Sequence, residues 1–542
     1  MDNFHVKKII PVDNNLSLKE CQKLLLIEGA ALGILDENRE ITSFVEVGEL
    51  DKALKFDLED KPISLISTPC KEYRPSLQEN ATDDYFIAKS PQNVDFLVKI
   101  NKKEEFFVNI KGQYQNSLSE DLQEAISFCS KIADEINLPI YLIGGAVRDI
   151  ILQKDVFDID ITVKESAIKF AEYMSRKHPE TCAIKGLHEP FNTAKVSIKT
   201  KNKEVNIDIA SARLEKYAVP GSLPIVQSIG CNLKEDIIRR DFTINALAMS
   251  LNHTTFGNLI DYIGGYNDLK HRQLAILHPL SFIDDPTRMI RGVKFAVRFD
   301  CELAPITKKL QQECLKSGIF DNFCGERIKS ELKQTLNLNS PKCYDRLILD
   351  DIYKLISTKI NKNKITTTTG EKIHNIINTH TSHIKNRSLI WLIYLGVMLD
   401  GLDNEDILKI AHQLNLSGIE AKILLSASTI IKNKDILLKS TTKFEVYEFF
   451  ECHFLESILI VLASSTEPQI IAYIEEYLNK LQFINISTTG KTLIDKGFAS
   501  GPEFGYILRD ILKEKINGNI ETKEDEDKFL DNISIIDYQM KC

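Results

Sequence analysis

Between Tyr141 and Val163 the sequence reads Y-L-I-G-G-A-V-R-D-I-I-L-Q-K-D-V-F-D-I-D-I-T-V, and this stretch gathers residues that could do chemistry. Gly144 and Gly145 end a short apolar run; paired glycines let a backbone approach a ligand closely and aim N–H groups at an anion. Arg148 and Asp149 follow on a helix-compatible segment whose positive N-terminal end would lie beside the same charge. A triphosphate suits such a corner. Farther along, Asp158 and Asp160 alternate with Phe157, Ile159 and Ile161, and a period of two puts both carboxylates on one strand face and the apolar side chains on the other. Carboxylates this close repel unless a cation lies between them, and Mg²⁺ is the usual hard cation where carboxylates face phosphates. Alone, D-x-D reads equally well as a solvated strand face; behind a Gly-Gly-x-x-Arg-Asp turn the metal reading is the better one.

Two later stretches have the same character. In R-R-D-F-T-I-N-A-L-A, Arg239 to Ala248, the spacing of Phe242, Ile244 and Leu247 predicts a helix packed on a sheet. Arg239 and Arg240 are then left for phosphates, and Asp241 and Asn245, one turn apart, can share vicinal hydroxyls. In I-D-D-P-T-R-M-I-R-G-V-K-F-A-V-R-F, Ile283 to Phe299, one helix is predicted, with Asp284 near its cap and Pro286 in its first turn. Asp285, Arg288 and Arg291 recur at spacing three and share a face. A carboxylate there accepts from the amino group of cytosine or adenine while a guanidinium donates to the neighbouring ring acceptor; uracil and guanine would leave both unpaired. Taken alone, the same stripe reads as i/i+3 ion pairing. Asp208, in V-N-I-D-I-A-S-A-R, can add a third carboxylate from a neighbouring strand.

These groups need a framework. Periodicity predicts helices over Leu16–Leu26, Gly48–Phe56, Leu118–Glu135 and Ser166–Arg176, and strands on either side of Asp36-Glu37-Asn38 within Ala30–Val45. Further strands are predicted at Phe96–Ile100 and Glu105–Ile110, with a hairpin of Ala194–Lys199 and Glu204–Ile209 turning at Thr200–Lys203. The turn Asp261–Leu269 closes the sheet, and beyond about residue 335 helical periodicity dominates. At 542 residues, with 43% hydrophobic and 27% charged content, the chain calls for two to four globular domains. A net charge of -9 excludes a uniformly basic nucleic-acid binder but not a basic track on one face. Eleven cysteines contain no C-x-x-C pair, which predicts reduced thiols and no zinc site. The start M-D-N-F-H-V-K-K lacks a secretory apolar core, and Leu389–Leu399, around the single Trp391, is too short to span a bilayer and reads as a buried helix. No membrane association and a cytoplasmic location are expected. His374, His380 and His383 read as solvated or capping residues rather than metal ligands.

G-G-x-V-R-D followed by D-x-D resembles the head of the class II tRNA nucleotidyltransferase and bacterial poly(A) polymerase family, within the polymerase-β-like nucleotidyltransferases. The resemblance implies an α+β fold: a head with a mixed sheet at 118–270, a neck with the base-reading helix at 271–335, a helical body at 336–480 and a tRNA-gripping tail at 481–542. It implies template-independent addition of C and A, from CTP and ATP, to the 3′ end of tRNA, with Mg²⁺ held by the catalytic pair Asp158 and Asp160 and Asp208 in support. By the same resemblance Gly144, Gly145, Arg148, Asp149, Arg239, Arg240, Asp241, Asn245, Asp285, Arg288, Arg291 and Lys294 bind the nucleotide. Asp241 and Asn245 would read the ribose, and Asp285 and Arg288 would serve as a template for C and A.

Two positions depart from the family pattern: Asp284 stands where Glu is usual, and Lys294 where Arg is usual, which replaces a bidentate donor by a point charge. Ala212–Val226, with two prolines and a glycine, looks like the mobile loop associated with switching from C to A addition, which argues against a CC-only enzyme; a plain surface connection is the alternative. Gly325–Leu332 matches the E-R-x-x-x-E-L motif, and Ser487–Asn519, with a helix at Tyr506–Ile516, looks like the tail. Residues 1–115 are similar to a CBS domain, which implies an adenine nucleotide as ligand there; a ligand-free α/β extension reads equally well. A-adding, CC-adding and poly(A)-adding enzymes share these head motifs. A catalytically dead regulator is the reading of another class, and the intact Asp158, Asp160, Asp241, Asn245, Asp285 and Arg288 count against it.

Overall fold

Two seven-stranded sheets organise the first part of the chain. The computed structural model describes residues 4–24, 30–56, 58–72, 85–89, 95–100, 108–217, 222–318, 325–362, 368–498 and 500–533. Two compact units result, one of Met1–Cys324 with Asp350–Leu355 and the other of Gly325–Leu349 with Ile356–Cys542.

The N-terminal sheet is built from β1 (Phe4–Asp13), β2 (Ala31–Leu35), β3 (Ile41–Glu46), β4 (Thr68–Pro69), β5 (Lys71–Glu72), β6 (Tyr85–Lys89) and β7 (Asp95–Ile100), in the order β4-β3-β2-β1-β7-β6-β5. Helix α1 (Leu18–Leu24) follows β1, and α2 (Val47–Leu54) follows β3. Helix α2 starts where Glu46 and Glu49 form reciprocal capping hydrogen bonds, and it buries Leu50 and Ala53. Strands β1 and β6 were not anticipated, β1 because Lys7-Lys8 and Ile9-Ile10 break a simple alternation. Of the strand expected at Glu105–Ile110, residues 105–107 lie outside the described residues, and the rest forms only an isolated bridge from Asn109 to Asn258.

The second sheet belongs to the head. Helices α3 (Lys111–Ser117) and α4 (Glu120–Glu135) precede β8 (Ile140–Ile143), α5 (Gly145–Ile151), β9 (Asp160–Val163) and α6 (Ala167–Lys177). Then come β10 (Cys182–His188), β11 (Thr193–Lys199), β12 (Glu204–Ser211), β13 (Arg213–Lys216), β14 (Ile225–Ile229), α7 (Leu233–Ile238), β15 (Ala248–Ser250), β16 (Leu259–Ile260) and α8 (Gly265–Lys270). The order is β10-β11-β12-β9-β8-β15-β16, and the sheet is mixed because β12 and β9 run parallel while the other neighbours are antiparallel. Along β12 the alternation is strict: Val205, Ile207 and Ile209 are buried, Asn206 and Asp208 exposed. Those side chains join Ile126, Cys129, Ala133, Val147, Ile161 and Phe170 in one core between the sheet and α4, α5 and α6, where each large apolar side chain contributes roughly 1.5–3 kcal/mol.

Three expectations are corrected here. Arg239–Ala248 is not a helix: α7 ends at Ile238, a single 3₁₀ turn covers Thr243–Asn245, and β15 begins at Ala248. The chain must re-enter the sheet beside β8, so Phe242, Ile244 and Leu247 are fully buried without helical spacing. Gly265 lets α8 press against this turn, since a Cβ there would stand 2.1 Å from the Thr243 carbonyl oxygen. Ile283–Phe299 is two elements, α9 (Ser281–Asp284) and α10 (Thr287–Phe299), separated from α8 by β17 (Gln273–Leu274). The break falls at Asp285, extended at φ -147° and ψ 95°, because a residue preceding proline is pushed out of the helical region. Phe157 does not share the buried face of Ile159; it lies ahead of β9 and is 80% exposed.

Strand β18 (Glu302–Leu303) and α11 (Pro305–Lys316) complete the described head and neck. Within Ala212–Val226, β13 and β14 pair antiparallel, so the expected loop is a ribbon whose tip, 218–221, lies outside the described residues.

The second unit is helical. It begins with α12 (Gly325–Leu336), so the E-R-x-x-x-E-L segment falls in this unit rather than in the neck. Helices α13 (Pro341–Leu349), α14 (Thr369–Thr379) and α15 (Ile390–Met398) follow, and α15 is buried throughout, Trp391 included. Among the described residues no helix is long and apolar enough to cross a membrane. Toward the C-terminus, helices Gly490–Asp495, Glu503–Asn517 and Lys523–Asp531 enclose Leu493, Ile507, Ile511 and Leu530. Buried Glu526 accepts hydrogen bonds from the Ser487 and Thr488 N–H groups and from Lys515. His380 is not solvated: it is buried at the C-terminal cap of α14, 3.8 Å from Glu475, and burial lowers its pKa.

Candidate active site

Asp160 and Asp208 occupy paired positions in the parallel register of β9 and β12. Ile159, Ile161, Ile207 and Ile209 are buried, which turns both carboxylates outward. Asp158, exposed like them, stands just ahead of β9. Lys195 of β11 pairs with Asp208 in register, its Nζ 3.5 Å from Oδ2. Although Asp160 is open, the protein around it withdraws enough water to raise its carboxyl above the usual carboxylate range; Arg240 pulls the other way, and Asp208 and Asp158 add to the rise.

Asp160, Asp208 and Lys195, but not Asp158, line a cavity of about 540 Å³ whose walls also include His188, Arg239 and Arg240. Among the described residues no group of three or more His, Cys, Asp or Glu forms a metal cage. Mg²⁺ is commonly held by one or two carboxylates plus a substrate's phosphates, and outward-facing carboxylates that repel one another fit that donor set.

Gly144 sits at φ +70°, where glycine is favoured; its N–H donates to the Leu247 carbonyl, and a Cβ would lie 3.4 Å from Arg240 Nη1. Gly145 opens α5, with Arg148 Nη2 3.5 Å from its would-be Cβ. Arg148 itself does not face open space. It is buried, donates from Nε to Asp149 (2.9 Å) and from Nη1 to Asn245 Oδ1 (2.5 Å), and lies 3.9 Å over the Phe299 ring. Asn245 Nδ2 donates to Asp241 Oδ1 at 3.2 Å, and Arg291 donates to Asp241 Oδ2 from Nε (2.9 Å) and Nη2 (2.6 Å). Burial pushes the Asp241 carboxyl up, but Arg291 outweighs it and holds the group below the usual range. The chain Arg148–Asn245–Asp241–Arg291 therefore ties the glycine turn to α10.

Arg239 and Arg240 share one anchor. Arg239 donates to Asp236 Oδ1 (2.6 Å) and Glu215 Oε2 (3.0 Å), and Arg240 to Asp236 Oδ2 (3.1 Å). Asp236 is fully buried, yet the two guanidiniums keep its pKa low against that burial. Arg240 Nε is buried without a partner among the described residues. Asp285 Oδ1 accepts from the Thr287 N–H (3.1 Å) and hydroxyl (2.6 Å) at the first residue of α10. Buried Arg288 donates to Ser281 Oγ, the Arg239 carbonyl (2.9 Å) and the Tyr217 hydroxyl (3.4 Å). Lys294 is buried with Nζ 5.5 Å from the Phe295 ring centre.

Comparison with known proteins agrees with this arrangement. The family model for the poly A polymerase head domain matches residues 140–275. An A-adding tRNA nucleotidyltransferase of Geobacter sulfurreducens is 30% identical over 405 residues, covering 73% of this chain and 45% of the relative. One from Halalkalibacterium halodurans is 26% identical over 434 residues, 78% of this chain and 95% of the relative. The solved Thermotoga maritima CCA-adding enzyme complexed with tRNA_CCA superposes with a TM-score of 0.65 and 28% identity, over 80% of this chain and all of that one. The chain belongs to the class II tRNA nucleotidyltransferase and poly(A) polymerase family. It spans less than half the length of the first curated relatives it matches.

Within this nucleotidyltransferase head, Asp160, Asp208, Arg239 and Arg240 of the expected residues line the cavity. Arg148, Asp241, Asn245 and Arg291 form the connected chain behind it. Sequence reasoning missed Asp236, Glu215 and Ser281, which hold the arginines. Asp236 carried a readable signal, at three and four residues before Arg239 and Arg240; Glu215 and Ser281 come close only through tertiary structure.

Proposed function

We propose that this chain is a cytoplasmic, template-independent nucleotidyltransferase that adds C and A from CTP and ATP to the 3′ end of tRNA, releasing pyrophosphate. The observation that carries the reading is the outward pair Asp160 and Asp208 in one cavity with Arg239 and Arg240. Asp158 and Asp160, with Asp208 in support, would hold Mg²⁺, which when bound supplies Lewis-acid activation of the primer 3′-hydroxyl and neutralises charge on the leaving pyrophosphate. The Gly145 N–H group at the start of α5 and the Arg240 guanidinium on the cavity wall bind the triphosphate. Asp241 and Asn245 orient the ribose, and Arg291 keeps Asp241 ionised as an acceptor. Asp285 and Arg288 read the base, Arg288 held on its far side by Ser281 and the Arg239 carbonyl.

A second reading, addition of the terminal A alone, is favoured by the relatives named as A-adding enzymes, which match over more than seven-tenths of the chain. The helix–strand–strand–helix order of α1, β2, β3 and α2 supports a CBS-like, adenine-nucleotide-binding reading of the N-terminal domain. Transcripts ending before CCA, after C and after CC, supplied with CTP and ATP separately and together, test the assignment. Completion of all three gives CCA addition; extension of only the CC-ending transcript by one A gives the specialist. No extension overturns both.

A further inference from the structure

We propose that Lys52, on α2 of the N-terminal domain, is a positioning residue for nucleotide selection: it anchors the α9 turn that carries and braces the base-reading side chains. The inference rests on the reading of Asp285 and Arg288 given above. Lys52 Nζ hydrogen-bonds Asp284 Oδ2 across a separation of 232 residues. The Asp284 side chain is 2% exposed, and its Oδ1 is buried without a donor among the described residues. His278 Nε2 lies 3.5 Å away, but burial holds that ring uncharged. Arg288 favours the ionised form of Asp284 through its charge, but its hydrogen bonds go to Ser281, Tyr217 and the Arg239 carbonyl. Lys52 is thus the cation in direct contact with a carboxylate that has left water.

The consequence is mechanical. Helix α9 is one turn long: its first residue, Ser281, accepts from Arg288, and its last, Asp284, is bonded through one peptide to Asp285. A buried carboxylate stripped of its cation either takes up a proton or swings toward water. Either change shifts α9, and with it the Asp285 backbone and the brace of Arg288, where discrimination between bases depends on small displacements. A second tether, Lys61 Nζ to the Ser317 carbonyl at 2.5 Å, fixes the same domain beside α11. The N-terminal domain therefore reaches the base-reading segment through a side chain outside the nucleotide site.

The test uses the full chain and equilibrium binding of ATP, CTP, GTP and UTP without RNA, in the wild type, Lys52→Met, Lys52→Arg and the double variant Lys52→Met/Asp284→Asn, each checked by thermal melting. Lys52→Met is expected to cut the preference for ATP over GTP about tenfold, mainly by weakening ATP. Lys52→Arg should keep the preference, and the double variant should recover most of it, because an amide at 284 needs no cation. An unchanged preference in Lys52→Met overturns the inference, as does equal weakening of all four nucleotides with no recovery in the double variant. If the wild type prefers ATP here yet extends none of the three transcripts described above, the transfer reading falls and the binding ratio still decides the role of Lys52.

Discussion

Asp160 and Asp208 face the same cavity from paired positions on two parallel strands, and the Asp160 carboxyl is raised by burial, with Asp208 and Asp158 adding to the rise. A carboxyl whose folded pKa exceeds its unfolded value binds protons more tightly when folded. Its ionised form therefore costs stability, and that cost fades as pH falls through the raised pKa toward the unfolded one.

Asp160→Asn is accordingly expected to raise the melting temperature of the metal-free chain at pH 7, by about 1–2 °C, with the gain shrinking below about pH 4. Differential scanning calorimetry at both pH values checks this; a lowered melting temperature at pH 7 contradicts it.

Asp241 has the opposite sign. Arg291 holds its pKa down despite burial, so the pair contributes stability above the unfolded carboxylate pKa and loses it as pH falls through the depressed folded value. Arg291→Met should destabilise by about 2 kcal/mol at pH 7, a figure reduced because Arg291 is partly solvent-exposed. Denaturant titrations at pH 7 and at about pH 3.5 should show the difference from wild type narrowing on acidification.

Arg148 is wrapped by Asp149, Asn245 and the Phe299 ring, and a lysine cannot bridge the first two in a plane. Arg148→Lys should cost about 2 kcal/mol and raise the KM for ATP, because Asn245 loses its brace. Unfolding and steady-state kinetics measured together check both effects.

Gly265→Ala tests the contact between α8 and the Thr243–Asn245 turn. A methyl group 2.1 Å from a carbonyl oxygen forces the backbone apart, and a loss of about 3 kcal/mol is expected, read by urea denaturation.

Much of this site was legible in the sequence because local rules govern it. The alternation in V-N-I-D-I-A predicted the β12 face that carries Asp208, and Gly-Gly before Arg148 predicted the strand-to-helix turn. Where the reading failed, tertiary demands prevailed. Pro286 displaced Asp285 from the helix, a signal present in the sequence but outweighed there by the stripe of charges. Arg239–Ala248 has helical spacing, yet the chain crosses back into the sheet and buries the same apolar residues as an irregular turn. Lys52 could not have been paired with Asp284 from sequence, since nothing local links positions 232 residues apart.

The most direct test of the central claim is single-turnover transfer of A from ATP to a CC-ending tRNA transcript by wild type and Asp160→Asn, with ATP binding measured on the same samples. Wild type should add one A, and the variant should lose at least roughly 10³-fold in rate while binding ATP within about threefold of wild type, a difference under the tenfold that 1.4 kcal/mol represents. Near-normal transfer by Asp160→Asn would contradict the carboxylate mechanism, and no transfer by the wild type would contradict the assignment itself.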